Sequence, residues 1–345
     1  MPDVQTEQRF PDGALTDDWL DLVALDPAAS VFHSARFLRL WSHHLRGDRE
    51  LRLRFVRDGE VLLGVVPEVR DRTPDGRRMI QFAGGEHVTD YLGPISRPQH
   101  RDLVAGAWID TLASEDDWDE LIAGGLAEDA GWHQPLIAHA SRARLEVCGD
   151  DVEDVCPRID LSGGWDAYLQ RLSGKHRHEI RRKARKLARE GGVVKLIAVD
   201  PEDLDDALTI FLELNRRLED DKGRFFVADR MEDFFRALTY EFGPDRTLRM
   251  HRLDIDGAPA AVTVSLVGDG VGDKEWGLYN SAFERGYGAL APGVVLVGEV
   301  IRIAADEGYA GFDLLRGDEP YKYRFGARDR PLRRVTVVPA AGTLR

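Results

Sequence analysis

The chain has 345 residues and a formal net charge of −14. Its length indicates two domains or one large one, and its 43% hydrophobic and 31% charged residues exclude a disordered chain. The negative charge argues against DNA as a partner of the whole molecule. Cys148 and Cys156 are too few for a disulfide framework or a zinc site.

The N-terminal residues and the shortness of the apolar segments predict a cytoplasmic protein. The first residues are acidic and lack the apolar run of a signal peptide. No apolar stretch approaches the roughly 20 residues that span a bilayer, so we expect no membrane span. His176 and His178 lie on different faces of a predicted helix, and no metal-ligand spacing occurs. We therefore expect no metal cofactor.

The first half of the chain predicts helices followed by a strand meander. Helices are predicted over 15–25 and 34–45, where Ser34 suits an N-cap. Two strands flank Asp58-Gly59, a strong hairpin signal. The remaining predicted elements, in chain order, are a strand over 77–85, a loop over 86–95, a helix over 99–113 and a strand near 120–123.

The second half repeats this order. Helices are predicted over 173–190 and 201–220, and two strands flank Asp256-Gly257. A strand over 273–283, a Gly-rich loop over 285–293, a helix over 292–307 and a strand over 311–315 follow. The repeated order predicts an internal duplication. An acidic, proline-containing segment near 145–162 suggests domains of residues 1–155 and 156–345.

The Gly-rich loop and the helix after it are candidates for phosphate binding. Pro292 suits the first helical turn, so the loop and the helix N-terminus present free backbone N–H groups. The pyrophosphate of coenzyme A is one ligand that they could hold. The alternative is an ordinary Gly-rich turn before a helix. The loop fits neither the dinucleotide nor the P-loop motif.

Charged and aromatic residues are dense in RGDEPYKYRFGA, residues 316–327. This segment follows the last predicted strand of the repeat, and ligands in α/β folds bind at the carboxyl ends of strands. It therefore predicts a site. The alternative is a solvated charged loop.

A strongly basic helix is predicted over 173–190. Nine Lys or Arg residues and one acid, Glu179, lie between Arg171 and Arg189. Such a concentration attracts a polyanion, such as a phosphate-rich cofactor, a nucleotide-linked substrate or tRNA. The alternative is that it pairs with acidic neighbours such as Glu219 to Asp221.

Four segments carry a family resemblance: residues 175–190, DDKGRFF at 220–226, TDYLGP at 89–94 and the long stretch 279–327. Together they resemble the BioF2-like, CelD-like acetyltransferases of the GNAT superfamily, which are related to the FemAB-like peptidyltransferases. The resemblance implies an α/β (α+β) fold of two tandem duplicated GNAT-type acyl-CoA N-acyltransferase folds, each a mixed sheet flanked by helices. The chain lacks the long coiled-coil arm of Fem proteins, and Arg285 to Gly288 only approximates the GNAT pyrophosphate loop.

The resemblance also implies a mechanism in which two parallel strands part, acyl-CoA lies between them and an amine attacks its carbonyl directly. Acetyl-CoA is the expected acyl-CoA donor. The N-terminal copy is expected to have lost the donor, and its 89–95 loop to close a substrate cleft. The candidate catalytic residues are Lys322, in the place of a donor-contacting lysine of Fem proteins, Asp318, Glu319 or Glu275 as base, and Tyr321 or Tyr323 as acid. The candidate donor-binding residues are Arg285, Gly286, Gly288, Gly293 and Arg316, and the candidate substrate-binding residues are Lys175, Arg177, Arg181, Lys222, Arg224, Asp90 and Tyr91.

Two other functions stay open. One is transfer of an aminoacyl group from charged tRNA to a peptide or cell-wall precursor, with the basic helix holding the tRNA. The other is a non-catalytic, degenerate GNAT pair that serves as a scaffold.

Overall fold

The computed structural model describes residues 2–85, 87–217, 224–226, 230–268 and 275–340. The described residues up to Val155 and from Arg330 onward form one compact unit, and those from Cys156 to Asp329 form a second. The sequence predicts that everything after residue 155 belongs to the C-terminal half. The last strand belongs instead to the first unit.

Both units are built from helices and strands. The α-helices of the described residues are α1 Ala14–Leu25, α2 Ala35–His44, α3 Arg101–Ala113, α4 His133–Arg142, α5 Gly164–Arg171, α6 Gly174–Glu190, α7 Leu204–Arg216, α8 Met231–Phe242, α9 Pro292–Asp306 and α10 Pro320–Tyr323. The strands are β1 Asp3–Glu7, β2 Glu50–Asp58, β3 Val61–Arg72, β4 Arg78–Phe82, β5 Ile95–Ser96, β6 Glu120–Ala127, β7 Leu145–Asp160, β8 Val194–Ala198, β9 Leu248–Ile255, β10 Ala258–Val267, β11 Glu275–Phe283, β12 Gly311–Asp313 and β13 Arg328–Pro339.

The strands of the first unit follow the order β1-β2-β3-β4-β6-β13-β7. The predicted hairpin is confirmed: β2 and β3 pair up to Asp58 and Val61, and Gly59 takes a φ of 58° in the turn. Strands β4 and β6 are parallel, with Met79 opposite Glu120. Helices α1 and α3 pack on β3, and the Trp19 and Trp108 side chains are fully buried.

The second unit repeats the meander with the order β7-β12-β11-β10-β9-β8. Strands β9, β10 and β11 are antiparallel, whereas β11 and β12 are parallel. Helix α9 packs on β9, β10 and β11 together with α5 and α6, and α7 packs on the same strands together with α8. The mixed sheet and its flanking helices agree with the predicted fold class.

Local sequence signals explain where the predicted helices begin. The Ser34 hydroxyl accepts a hydrogen bond of 3.2 Å from the Phe37 amide at the start of α2. The Ser173 hydroxyl does the same for the His176 amide at the start of α6. Pro292 occupies the first turn of α9. Each residue stabilises a helix terminus that would otherwise leave amides without acceptors.

The acidic segment near 145–162 is a strand and not an irregular linker. Strand β7 occupies Leu145–Asp160 and neighbours β13. The Arg334 guanidinium of β13 donates a hydrogen bond of 2.6 Å to Glu153, and Arg333 binds Asp150. These arginines compensate the acids of β7, which explains why so acidic a segment is stable as a strand.

Candidate functional site

Strands β11 and β12 are paired over a short distance and then part. The parallel register runs from Glu275 opposite Gly311 to Gly277 opposite Asp313, where β12 ends. Strand β11 continues to Phe283 without this partner. We call the space along β11 beyond Gly277, bordered by the turn 314–318 after β12, the β11–β12 slot.

An irregularity in β11 lies beside this slot. Across β10, Val264 faces Asn280 and Ser265 faces Leu278, so Tyr279 is an extra residue in β11. A β-bulge of this kind bends a strand and redirects its backbone and side chains. The strand is predicted by the sequence but the bulge is not, because a bulge is defined by the register with a neighbouring strand.

The turn after β12 is held by Lys322. Its ammonium donates hydrogen bonds to the carbonyl oxygens of Leu315 (2.9 Å), Arg316 (2.7 Å) and Gly317 (3.0 Å). It also lies 2.9 Å from the Glu319 carboxylate. Lys322 is only 2% exposed. Lys322 is the residue that the sequence most favours for donor contact. These partners of its ammonium are all groups of the protein.

The other candidate residues of this segment have different surroundings. Tyr321 packs against the core of the second unit, and burial raises the pKa of its hydroxyl above the usual range. The Tyr323 hydroxyl donates a hydrogen bond of 2.8 Å to Asp329. Burial and that bond raise the pKa of Tyr323 to about 12. Asp318 is exposed, and Glu319 carries the ion pair with Lys322.

Glu275 lies away from these residues and is the one catalytic candidate that the structure separates from the rest. It begins β11, at the closed end of the β11–β12 pairing, and forms an ion pair with Arg158. Five residues of strand, about 16 Å at 3.3 Å each, separate it from Asn280 beside the slot. Proximity to the slot therefore does not support Glu275 as the base.

The candidate phosphate loop is a short 3-10 helix, Arg285–Leu290, which leads into α9. The Gly286 amide already donates a hydrogen bond of 3.2 Å to the Glu284 carboxylate. Arg285 and Gly288 are exposed. A Cβ at Gly293 would meet Phe283 at 3.2 Å, so this glycine lets α9 begin close to β11. Arg316 is half-buried in the turn after β12.

The basic helix α6 has an exposed cationic side. Lys175, Arg181, Arg182 and Arg185 are exposed and have no ion-pair partner among the residues that the structure describes. At helical spacing these four fall on one side of α6. We call them the α6 cations. The helix also contacts the 3-10 turn through the Lys186 ammonium, which donates a hydrogen bond of 2.8 Å to the Ala289 carbonyl.

The remaining substrate candidates of the second unit are dispersed. Arg177 is half-buried and donates a hydrogen bond of 3.0 Å to the Leu169 carbonyl at the end of α5. Arg224 is exposed. Lys222 and the acids at 219–221, proposed as partners of α6, lie outside the described residues. Within α6, the Glu179 carboxylate lies 3.8 Å from the Lys183 ammonium and 3.7 Å from the Arg324 guanidinium.

In the first unit, the corresponding parallel strands are β4 and β6, and the segment around Leu92 packs where they part. Strand β4 ends soon after its short pairing with β6, and the Leu92 amide donates a hydrogen bond of 3.0 Å to the Gly125 carbonyl of β6. A Cβ at Gly125 would lie 2.8 Å from the Leu92 Cβ. Leu92 is 7% exposed. The segment predicted as a cleft loop therefore packs into its own unit.

Asp90 and Tyr91 precede this residue. Tyr91 is 3% exposed, and the Arg330 guanidinium lies 4.7 Å from its ring centroid. Burial acts to lower the pKa of Arg330, but its interactions with the Tyr91 phenol and the Asp129 carboxylate outweigh burial and raise it. Asp90 is half-buried. Tyr91 thus has a packing role in the first unit.

None of the helices described is both long and apolar enough to cross a bilayer. No group of three or more His, Cys, Asp or Glu side chains in the described part of the chain is placed to hold a metal ion.

Residues 174–323 match the family described as acetyltransferase (GNAT) domain. No curated protein matches the chain. FemX is a solved structure of similar fold, with a TM-score of 0.65 and 9% identity over 94% of this chain and 96% of that one. L-PGS from Bacillus licheniformis has a TM-score of 0.57 and 12% identity over 98% and 94% of the two chains.

A tandem GNAT protein from the clavulanic acid biosynthesis pathway has a TM-score of 0.50 and 17% identity, over 98% of this chain and 99% of that one. At such low identities these likenesses concern the fold. The family match covers the basic helix, the meander, the slot and the Lys322 turn. Residues 174–323 are therefore similar to a GNAT acetyltransferase domain, and the chain as a whole has a fold similar to that of a tandem GNAT protein.

Proposed function

We propose that the protein transfers an acyl group, with acetyl as the first candidate, from acyl-CoA to the amine of a small molecule or a cell-envelope or natural-product precursor. The observation that carries the proposal is the β11–β12 slot of the second unit. Beyond Gly277, β11 extends for six more residues, about 20 Å. A strand edge of this length that lacks its β12 partner suits an extended ligand with amide groups, as the pantetheine arm of CoA has.

The proposed reaction is a direct attack without a covalent enzyme intermediate. The amine nitrogen attacks the thioester carbonyl carbon, a C–N bond forms and the C–S bond breaks. The amine loses one proton to a base, and the CoA thiolate leaves and takes up a proton. The backbone of β11 in the slot is the proposed source of an N–H group that stabilises the oxyanion, an interaction worth about 3 kcal/mol in well-studied enzymes.

The contacts of the candidate acids and bases favour particular roles. Asp318 is the better base than Glu319, because the Glu319 carboxylate is engaged with Lys322. Tyr321 is the better partner for the leaving sulfur, because the Tyr323 hydroxyl already donates to Asp329. A phenol with a raised pKa stays protonated at neutral pH and donates a hydrogen bond, while solvent supplies the proton that the thiolate finally takes.

The phosphates of CoA are proposed to lie at the 3-10 turn Arg285–Leu290 and the N-terminus of α9. Arg285 is exposed there, and α9 begins with Pro292 and has no side-chain cap. The first amides of such a helix and its dipole favour an anion. Because Glu284 already accepts from Gly286, the amides of α9 are a better phosphate site than the Gly286 amide.

Calorimetric titration with CoA, dephospho-CoA and pantetheine tests this proposal, together with turnover of labelled acetyl-CoA on a panel of amines. We expect CoA to bind most tightly and pantetheine least, since each phosphate removed loses contacts. Arg285→Ala is expected to weaken CoA and leave pantetheine unchanged. Absence of both CoA binding and acetyl transfer would contradict the proposal.

The α6 cations favour a second candidate, aminoacyl transfer from charged tRNA. These four positive side chains are exposed, lie on one side of α6 and have no ion-pair partners among the described residues, an arrangement that suits the phosphate backbone of a nucleic acid. Under this alternative, tRNA binding weakens steeply with salt, and Arg181→Glu with Arg185→Glu lowers the slope of log affinity against log salt by about two. CoA binding to the same double variant is the control. Transfer of a labelled amino acid from tRNA, without turnover of acetyl-CoA, would decide for this alternative.

A further inference from the structure

Lys322 is a buried cation whose hydrogen bonds all remain within the protein. Three consecutive carbonyl oxygens, those of Leu315, Arg316 and Gly317, converge on its ammonium at 2.7–3.0 Å. The Glu319 carboxylate lies on it at 2.9 Å. An ammonium has three N–H groups and no acceptor, so these partners use its whole donor capacity.

The three carbonyls belong to the turn where the chain leaves β12. Residues that continued β12 in the extended conformation would direct backbone groups towards β11 and prolong the parallel ladder. Instead, Leu315 takes a φ of 57°, which is unfavourable for a leucine, and Gly317 takes a φ of 107°. The ammonium binds the carbonyls of this strained turn and thereby compensates its cost.

We propose that Lys322 is a positioning residue that keeps the β11–β12 slot open, by holding the turn 315–317 away from β11. It acts on the donor only through this turn. The proposal rests on the proposed function insofar as the slot receives the acyl donor, but the effect on the turn does not depend on the ligand. It assigns Lys322 a different role from the donor contact that sequence analysis expected.

The burial of Lys322 favours the positioning role over contact with the donor. Lys322 is 2% exposed, and it reaches the turn from α10, whose following residues pack into the core through Phe325. To contact a bound donor, the ammonium would have to leave at least one carbonyl without a donor. Polarisation of the acyl carbonyl by Lys322 would therefore work against the conformation of the turn.

Lys322→Met tests the proposal, with Lys195→Met on the exposed edge strand β8 as the matched control. We expect hydrogen exchange of the amides at 314–318 to accelerate at least about tenfold in Lys322→Met, while the control exchanges like the wild type. The Kd and KM for acetyl-CoA rise at least about tenfold, and kcat at saturating donor stays within about threefold. The exchange result is independent of any donor, so it stands or falls separately from the proposed function.

A donor-contacting lysine gives the opposite pattern. In that case, exchange at 314–318 without a donor would stay as in the wild type, and kcat would fall by about 100- to 1,000-fold. That result overturns the proposal.

A measurement on the wild-type protein covers the case in which Lys322→Met does not fold. With ¹⁵N-lysine labelling, a buried ammonium held by carbonyls gives a slowly exchanging Nζ signal, which we expect to persist unshifted when CoA is added. A large shift or loss of that signal on addition of CoA overturns the proposal.

Discussion

The Tyr168 hydroxyl donates a hydrogen bond of 2.9 Å to the carbonyl oxygen of Phe325. This bond ties helix α5 to the residues that follow α10. Both side chains are buried, Tyr168 at 2% and Phe325 at 1% exposure. Burial raises the pKa of the Tyr168 hydroxyl, so it stays protonated and remains a donor. The segment that carries Tyr321 and Lys322 is thus anchored twice. Lys322 binds the turn 315–317 before it, and Tyr168 binds Phe325 after it.

Tyr168→Phe is expected to lower the free energy of unfolding by about 1–3 kcal/mol, because the buried Phe325 carbonyl loses its donor. Tyr240→Phe is the matched control, since Tyr240 is 85% exposed and its change should stay within about 0.5 kcal/mol. Urea unfolding of the three proteins measures both values. Equal midpoints for the two variants would contradict the structural role of this bond.

Tyr321→Phe is expected to lower kcat by roughly 10- to 100-fold, the effect of losing one hydrogen bond to a charged leaving group. Tyr323→Phe should have a smaller effect, because that hydroxyl is committed to Asp329. Steady-state kinetics with acetyl-CoA and one accepted amine compares the two. A larger loss in Tyr323→Phe would reverse the two roles.

The chain is expected to bind one acyl donor, because Leu92 fills the corresponding gap between β4 and β6 in the first unit. Calorimetric titration with CoA should give a stoichiometry near one. Two equivalents would show that the first unit also takes a donor.

A glycine pair tests the packing of Leu92 independently of the ligand. Gly125 and Gly76 both have positive φ, 72° and 87°, but only a Cβ at Gly125 would meet Leu92. Gly125→Ala should therefore destabilise the protein by more than Gly76→Ala, which carries the backbone strain alone, about 1–3 kcal/mol. Equal losses on urea unfolding would mean that the Leu92 contact is loose.

Stability is expected to fall on the acid side because of His251. Burial and the charge of Arg249 together lower the pKa of this histidine from 6.5 to about 4, against the opposing effect of Glu307. The unfolded chain then binds a proton below pH 6.5 that the folded protein accepts only near pH 4. The stabilisation is therefore complete above pH 6.5 and is lost as the pH falls towards 4, by about 3 kcal/mol at most.

Replacement of the imidazole removes this dependence. His251→Asn is expected to show a flatter loss of unfolding free energy between pH 7 and pH 4.5 than the wild type. His33, which burial also shifts to a pKa of about 4, remains in both proteins and cancels in the comparison. Parallel pH profiles of the two proteins would contradict the assignment to His251.

Local patterns were sufficient for much of the fold. The Asp-Gly hairpins, the amphipathic helices and their repeated order predicted both meanders, because each signal depends on neighbouring residues. Helix α8 was missed although its buried residues follow a helical period. Strands β7 and β13 were missed because the arginines that compensate the acids of β7 lie about 180 residues away in the chain.

The site was predicted in its location and less well in its contacts. The segment after β12 was identified from the density of its charges, but the burial of Lys322 depends on a turn whose carbonyls converge in three dimensions. Glu275 was a candidate because it lies in β11, but the sequence does not show at which end of the β11–β12 pairing it lies. It lies where β11 begins, whereas the slot opens only after Gly277.

The return of residues 330–339 to the first unit has a practical consequence for dissecting the protein. A gene fragment that stops at residue 155 would encode β6 without β13, and the hydrogen-bonding edge of β6 would be open to other copies of the fragment. Such a fragment is expected to aggregate. A short Gly-Ser connection that joins residue 155 to residue 330 would return β13 to the fragment and cover that edge of β6.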